Sequence, residues 1–125
     1  MAECARMNRL LLTALLFATS ASALAAPNPA TQREITGLMQ ALEHSGCRFQ
    51  RNGNWHEAGQ ARSHLQRKYD YLLKRGLADS AEQFIDNAAS RSSVTGRSYR
   101  VACPGQPEQD SAPWFRQQLA RLRGR

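Results

Sequence analysis

The sequence contains no apolar run of the ~20 residues that a membrane-spanning helix requires. Its one continuous apolar stretch, Leu10–Ala18, is shorter and is interrupted by Thr13. There is no CxxC pair, which argues against a zinc site, and no GxSxG turn to raise a serine nucleophile. A glycine-rich phosphate loop is absent too: Gly53, Gly59, Gly76 and Gly96 each stand alone as a turn, a packing position or a helix end. No repeat and no low-complexity tract occurs. Lysine is scarce, with only Lys68 and Lys74 against fifteen arginines.

What is present at the N-terminus has the pattern of a secretory signal. Arg6 and Arg9 precede the apolar stretch, and the small residues of "ASALAA" follow it. The Ala23-Leu24-Ala25 pattern places cleavage after Ala25, so residues 1–25 are expected to be a signal peptide and residues 26–125 one small domain. Met7 offers an alternative start. Export implies a periplasmic protein, or a secreted one. Cys4 falls in the discarded segment, which leaves Cys47 and Cys103 in a compartment that permits disulfides, and these two are expected to pair.

Beyond residue 25 the chain has fifteen basic residues against nine acidic ones, a net charge of about +6. Such a surface attracts anionic partners. For an exported protein these are envelope components rather than nucleic acid. The arginines are spread along the chain, so the charge alone marks a solvated basic surface and no dedicated site.

Hydrophobic spacing predicts four helices. Ile35, Leu38, Met39 and Leu42 follow a Thr31/Glu34 capping box. Ala58, Ala61, Leu65, Tyr69, Leu72 and Leu73 form a stripe between Glu57 and Arg75, with Gly76 ending the helix. Ala81, Phe84, Ile85, Ala88 and Ala89 follow a cap at Asp79 or Ser80, and Trp114, Phe115, Leu119 and Leu122 mark the last helix. Two short segments alternate instead. Cys47 and Phe49 lead into the turn dipeptide Asn52-Gly53, and Tyr99, Val101 and Cys103 share a face in "SSVTGRSYRVAC". The expected architecture is a helix-dominated α+β domain, with three to four helices packed on a short two-stranded, hairpin-like sheet stapled by one disulfide.

The segments "CRFQRNGNWHEAGQARSHLQRKYDYLL", "SAEQFIDNAASRSSVTGRSYRVAC" and "APWFRQQL" resemble the YfeK-like family of small exported bacterial proteins, a domain of unknown function. The matching pieces include Arg51-Asn52-Gly53 with Trp55, Glu57-Ala58, His64-Leu65 with Lys68, Glu82 to Ile85, Ser92-Ser93 and Gly96 to Tyr99. Thr95 departs from the family's usual serine. The resemblance implies export and a compact disulfide-bearing fold, and it implies no activity. A smaller likeness joins Thr95-Gly96-Arg97-Ser98-Tyr99 to the Ser-Gly-x-x-Tyr loop of periplasmic lysozyme inhibitors, whose hydroxyls enter the lysozyme cleft.

The residues themselves offer no catalytic constellation. His64 would act as a general base only beside a carboxylate such as Glu57 or Glu82. No catalytic residue, cofactor or metal ligand is therefore assigned. The expected role is a non-enzymatic binding module of the cell envelope, with Arg51, Asn52 and Trp55 in the first turn and Ser93, Arg97 and Ser98 in the second as its candidate surface. Its partner would be an envelope protein or an anionic envelope component. The alternatives are a lysozyme inhibitor acting through Thr95-Gly96-x-x-Tyr99 and a small hydrolase using His64.

Overall fold

The computed structural model describes Ala18 and residues 28–124. The expected signal peptide lies outside the described residues, apart from Ala18. Helix α1 (Pro29–Glu43) opens on Asn28, whose side chain accepts the Thr31 N–H at 2.8 Å, with Pro29 in the first turn. The cap therefore sits three residues before the expected capping box. Thr31 is instead buried, its hydroxyl reaching the Asp79 carbonyl at 3.5 Å.

Strands β1 (Arg48–Arg51) and β2 (Asn54–Glu57) form a hairpin that runs directly into α2 (Ala58–Leu73). Both residues of the connecting turn, Asn52 and Gly53, have positive φ (49° and 83°), the geometry that matches hairpin twist and that asparagine and glycine tolerate best. Helix α3 (Ala81–Phe84) is capped by Ser80, which accepts the Gln83 N–H at 3.0 Å, and passes into a π-helical turn (Ile85–Ala89). Strands β3 (Arg100–Ala102) and β4 (Gln109–Asp110) follow, and α4 (Ser111–Leu122) closes the chain. The sheet is antiparallel in the order β2-β1-β3-β4. The two strands expected from the sequence are thus its central pair, extended on each side by a short edge strand.

Register explains which residues the sheet buries. Phe49 lies opposite Val101 on one side and His56 on the other, and this face meets the helices. Gln50, paired with Trp55 and Arg100, belongs to the opposite face. Arg48 pairs with Ala102, so Cys47 and Cys103 continue the ladder by one position and are bonded there, with Cα atoms 4.2 Å apart. The core is continuous from Ile35, Leu38 and Leu42 of α1 through Leu65 of α2 to Phe84, Phe115 and Phe49, all fully buried. The carbonyl of Ala89, at the end of the π-turn, accepts the buried Ser111 hydroxyl at 2.6 Å, which ties α3 to α4.

Candidate functional site

The first question is whether the two turns meet. They do. The Thr95 hydroxyl donates to Asn52 Oδ1 at 2.6 Å, and Asn52 Nδ2 donates to Ser92 Oγ at 3.4 Å. Ser92 is itself buried and accepts the N–H groups of Val94 and Thr95, both at 3.2 Å. The second turn is thereby folded around Ser92 and clipped to the tip of the hairpin. Val94 stands at its apex, 93% exposed.

The six candidate surface residues are not all alike. Asn52 spends its amide on the clip. Arg97 is exposed and its guanidinium lies beside Gly53. Ser93 lines a shallow hollow of about 340 Å³ with Asp86, Asn87, Arg91 and Gly96, and Ser98 lines another of about 500 Å³ with Ser90, Asp110 and Arg116. Trp55 is not joined to Arg51. Its register partner is Gln50, so it shares the outer face of the sheet, where the Arg48 guanidinium lies 5.3 Å from its ring. Arg51 shares the inner face with Phe49, at the rim of the core.

That placement brings Arg51 to a cluster the sequence did not single out. Tyr99 is 2% exposed, with its ring 5.1 Å from Phe49. Its hydroxyl meets Lys68 Nζ at 3.1 Å and His64 Nε2 at 3.2 Å. An ammonium can only donate, so Tyr99 accepts from Lys68, and its own proton can go to His64 Nε2 when the imidazole carries its proton on Nδ1. Lys68 also donates to the Arg91 carbonyl at 3.0 Å. Beside them, Arg51 Nε is buried and has no hydrogen-bond partner among the described residues. A donor left unsatisfied in this way costs about 1–3 kcal/mol.

The electrostatics are one-sided. Burial first, then the charges of Arg51, Lys68, Arg67 and His56, push His64 down to about 4. Burial and then Arg51 bring Lys68 down to about 8. Burial raises Tyr99, against the opposing effect of Arg51. No carboxylate among the described residues acts on any of the three. Among the described residues the ion pairs lie elsewhere, on Arg62, Arg100, Arg116 and Arg123. Spacing could have found part of the cluster, since His64, Arg67 and Lys68 stand at i, i+3 and i+4 on one face of α2. The partners that complete it, Tyr99 and Arg51, come from the sheet.

A pH dependence follows from His64. Unfolded, it titrates near 6.5, and folded near 4. The unfolded chain therefore binds more protons between these values. Stability is present in full above about 6.5 and is lost as pH falls toward 4. The loss is expected to be about 1–2 kcal/mol once solvent screening of this part-exposed group is allowed for. Chemical denaturation at pH 7 and pH 4.5 measures it, and His64→Gln should flatten the difference. An unchanged difference in that variant would refute the assignment.

Two of the expected alternatives meet the geometry directly. Both hydroxyls of the inhibitor-like motif are engaged within the chain, Thr95 on Asn52 and the buried Tyr99 on His64 and Lys68. His64 bonds a phenol rather than a carboxylate, while Glu82 is committed to Arg123 at 2.7 Å. No group of His, Cys, Asp and Glu among the described residues could hold a metal ion.

Fold and site together define a small α+β domain, disulfide-stapled, with a basic cluster at the inner rim of its hairpin. The sequence pattern of DUF5329, a family of unknown function, matches residues 29–123, and the chain belongs to that family. It is 40% identical over 73 residues to a protein described as uncharacterized protein YfeK, from Salmonella typhimurium strain LT2. That match covers 58% of this chain and 59% of the relative, so the chain spans well under two thirds of the curated protein it resembles. No solved structure matches it.

Proposed function

We propose that this protein is a non-enzymatic binding module of the bacterial cell envelope, exported to the periplasm, and that the two joined turns are its contact surface. The observation that carries the reading is the clip from Asn52 to Thr95 and Ser92. It holds an arginine-bearing hairpin tip and a second turn in one rigid arrangement. Two features of that arrangement suit contact with a partner. Among the described residues Arg51 and Arg97 have no carboxylate at ion-pair distance, and Val94 projects fully from the apex, where folding gains nothing from an apolar side chain. The disulfide is in keeping with an oxidising compartment. Among the described residues no helix is long and apolar enough to cross a membrane.

The test is photo-cross-linking in intact envelopes, with the reactive group at Val94 or, as a control, at Leu77, which is also exposed but lies between α2 and α3. A discrete adduct from position 94 alone is expected, and Arg97→Glu should abolish it without changing the melting temperature. Equal labelling from both positions, or an adduct that survives the charge reversal, would refute the proposed surface.

A further inference from the structure

We propose that Arg51, His64, Lys68 and Tyr99 form a binding site for a phosphoryl oxyanion, either free phosphate or the phosphate of a lipid headgroup. The inference rests on the binding-module reading, for which it names the chemistry of the ligand.

The groups on this rim are all suited to an anion, and among the described residues no carboxylate is ion-paired with them. Arg51 is the last residue of β1 and faces inward beside Phe49. Its buried Nε–H has no acceptor among the described residues. In folded proteins such donors are nearly always satisfied, so this one is open to an acceptor from outside the chain. Lys68 directs two of its three N–H groups to Tyr99 Oη and the Arg91 carbonyl, which leaves one to give. Both bonds anchor the ammonium, so its charge is held in place rather than swept through solvent. His56 and Arg67 add to the same field at His64. Burial first, and then the neighbouring cations, disfavour the charged forms of His64 and Lys68. A bound anion would oppose that effect.

Phosphoryl is the class that fits. Several oxygens around a tetrahedral centre can accept at once from a guanidinium N–H, an ammonium and an imidazolium that approach from different elements. A single carboxylate would be satisfied by the guanidinium alone. The ligand would draw a proton onto His64, whose Nε2 then becomes a donor and turns the Tyr99 hydroxyl outward.

The experiment is a titration of the purified, disulfide-intact protein with inorganic phosphate at fixed ionic strength, with chloride as the replaced ion. Resonances of the His64 ring and the Tyr99 ring report occupancy by NMR. Saturable shifts are expected, together with a rise of the His64 midpoint from about 4 toward neutrality. Affinity should fall about tenfold or more in Arg51→Gln and in Lys68→Met. Tyr99→Phe, which removes only the hydroxyl, should weaken binding less and serves if Lys68→Met fails to fold. Arg75→Gln should bind as the parent does, because Arg75 stacks on Tyr71 and is not among the charges acting on His64 or Lys68. Shifts that never saturate, or that fall equally in Arg75→Gln, would overturn the site. Vesicles containing phosphatidic acid distinguish the two sources: co-sedimentation competed by free phosphate assigns the headgroup, and phosphate binding without co-sedimentation assigns the free ion. If cross-linking at Val94 fails while phosphate still binds, the module reading falls and the oxyanion site stands. If phosphate fails while the adduct persists, the site alone falls.

Discussion

Reduction of the Cys47–Cys103 bridge is expected to lower the melting temperature by roughly 15–30 °C, the largest single effect on this molecule. The two cysteines are separated by 56 positions, so the bond closes a loop holding about half of the folded chain. In the chain-entropy account such a closure is worth about 4 kcal/mol, acting on the unfolded ensemble. A domain of this size has a total stability of about 5–15 kcal/mol, so the loss takes a large share of it. The native side matters as well. Cys47 and Cys103 stand directly opposite each other, one position beyond the Arg48–Ala102 pair, and hold the central strands in register where the ladder ends. Cys103 is only partly buried and opens onto a cleft of about 400 Å³ that includes Pro104 and Trp114, so a small reductant reaches it without prior unfolding. Thermal melts with and without reductant, and of Cys47→Ala/Cys103→Ala, check the prediction. Melting that is the same in all of them would show that the bridge adds nothing. The same register carries Arg51 and Tyr99, so reduction should also broaden the Tyr99 signals.

The helices were legible because each buries a stripe at 3.6-residue spacing, and the stripes predicted for Ile35–Leu42 and Ala58–Leu72 are the ones the fold buries. The central strands were legible from alternation, and the Asn52-Gly53 turn from its dipeptide. Strand β2 was not. "NWHE" has no apolar alternation, because its inner-face residues are Asn54 and His56, and a hairpin edge strand can be polar on both faces. Missing β2 hid the register, and without register the opposite orientations of Arg51 and Trp55 could not be seen. Strand β4 comprises two residues in a Pro-rich loop and is defined only by pairing with β3. The Asn28 cap was missed because Thr31 and Glu34 form the more specific capping-box pattern, yet Pro29 already fixes the first helical turn. The cluster at Tyr99 was the deepest omission. Its hydroxyl gathers residues 31 and 35 positions away, a distance no local pattern can bridge.

Phe84→Ala is expected to cost about 3–5 kcal/mol, the range for truncating a fully buried aromatic. Phe84 is 0% exposed and meets Tyr69 of α2 edge-on at 5.7 Å and Phe115 of α4 at 6.5 Å, so one ring bridges two long helices. The element that carries it is only four residues long before the π-turn begins, too short to be stable by its own hydrogen bonds. Its position therefore depends on this anchor and on the Ser80 cap. Truncation should loosen residues 81–91 first. Amide exchange in that segment is expected to rise more than in α1, and urea unfolding gives the total loss. Phe84→Leu, which keeps most of the volume, should recover much of it. The consequence for the site follows from the chain path, since the π-turn delivers the Arg91 carbonyl to Lys68 and the Ser90 carbonyl to the Tyr99 N–H, at 3.0 and 2.9 Å. With the anchor gone, Lys68 loses one of the two bonds that hold its charge in place. Phosphate affinity should drop in Phe84→Ala although no residue of the site has been changed. A loss below about 1 kcal/mol, or exchange that rises evenly across the chain, would show that α3 is held by something other than this ring.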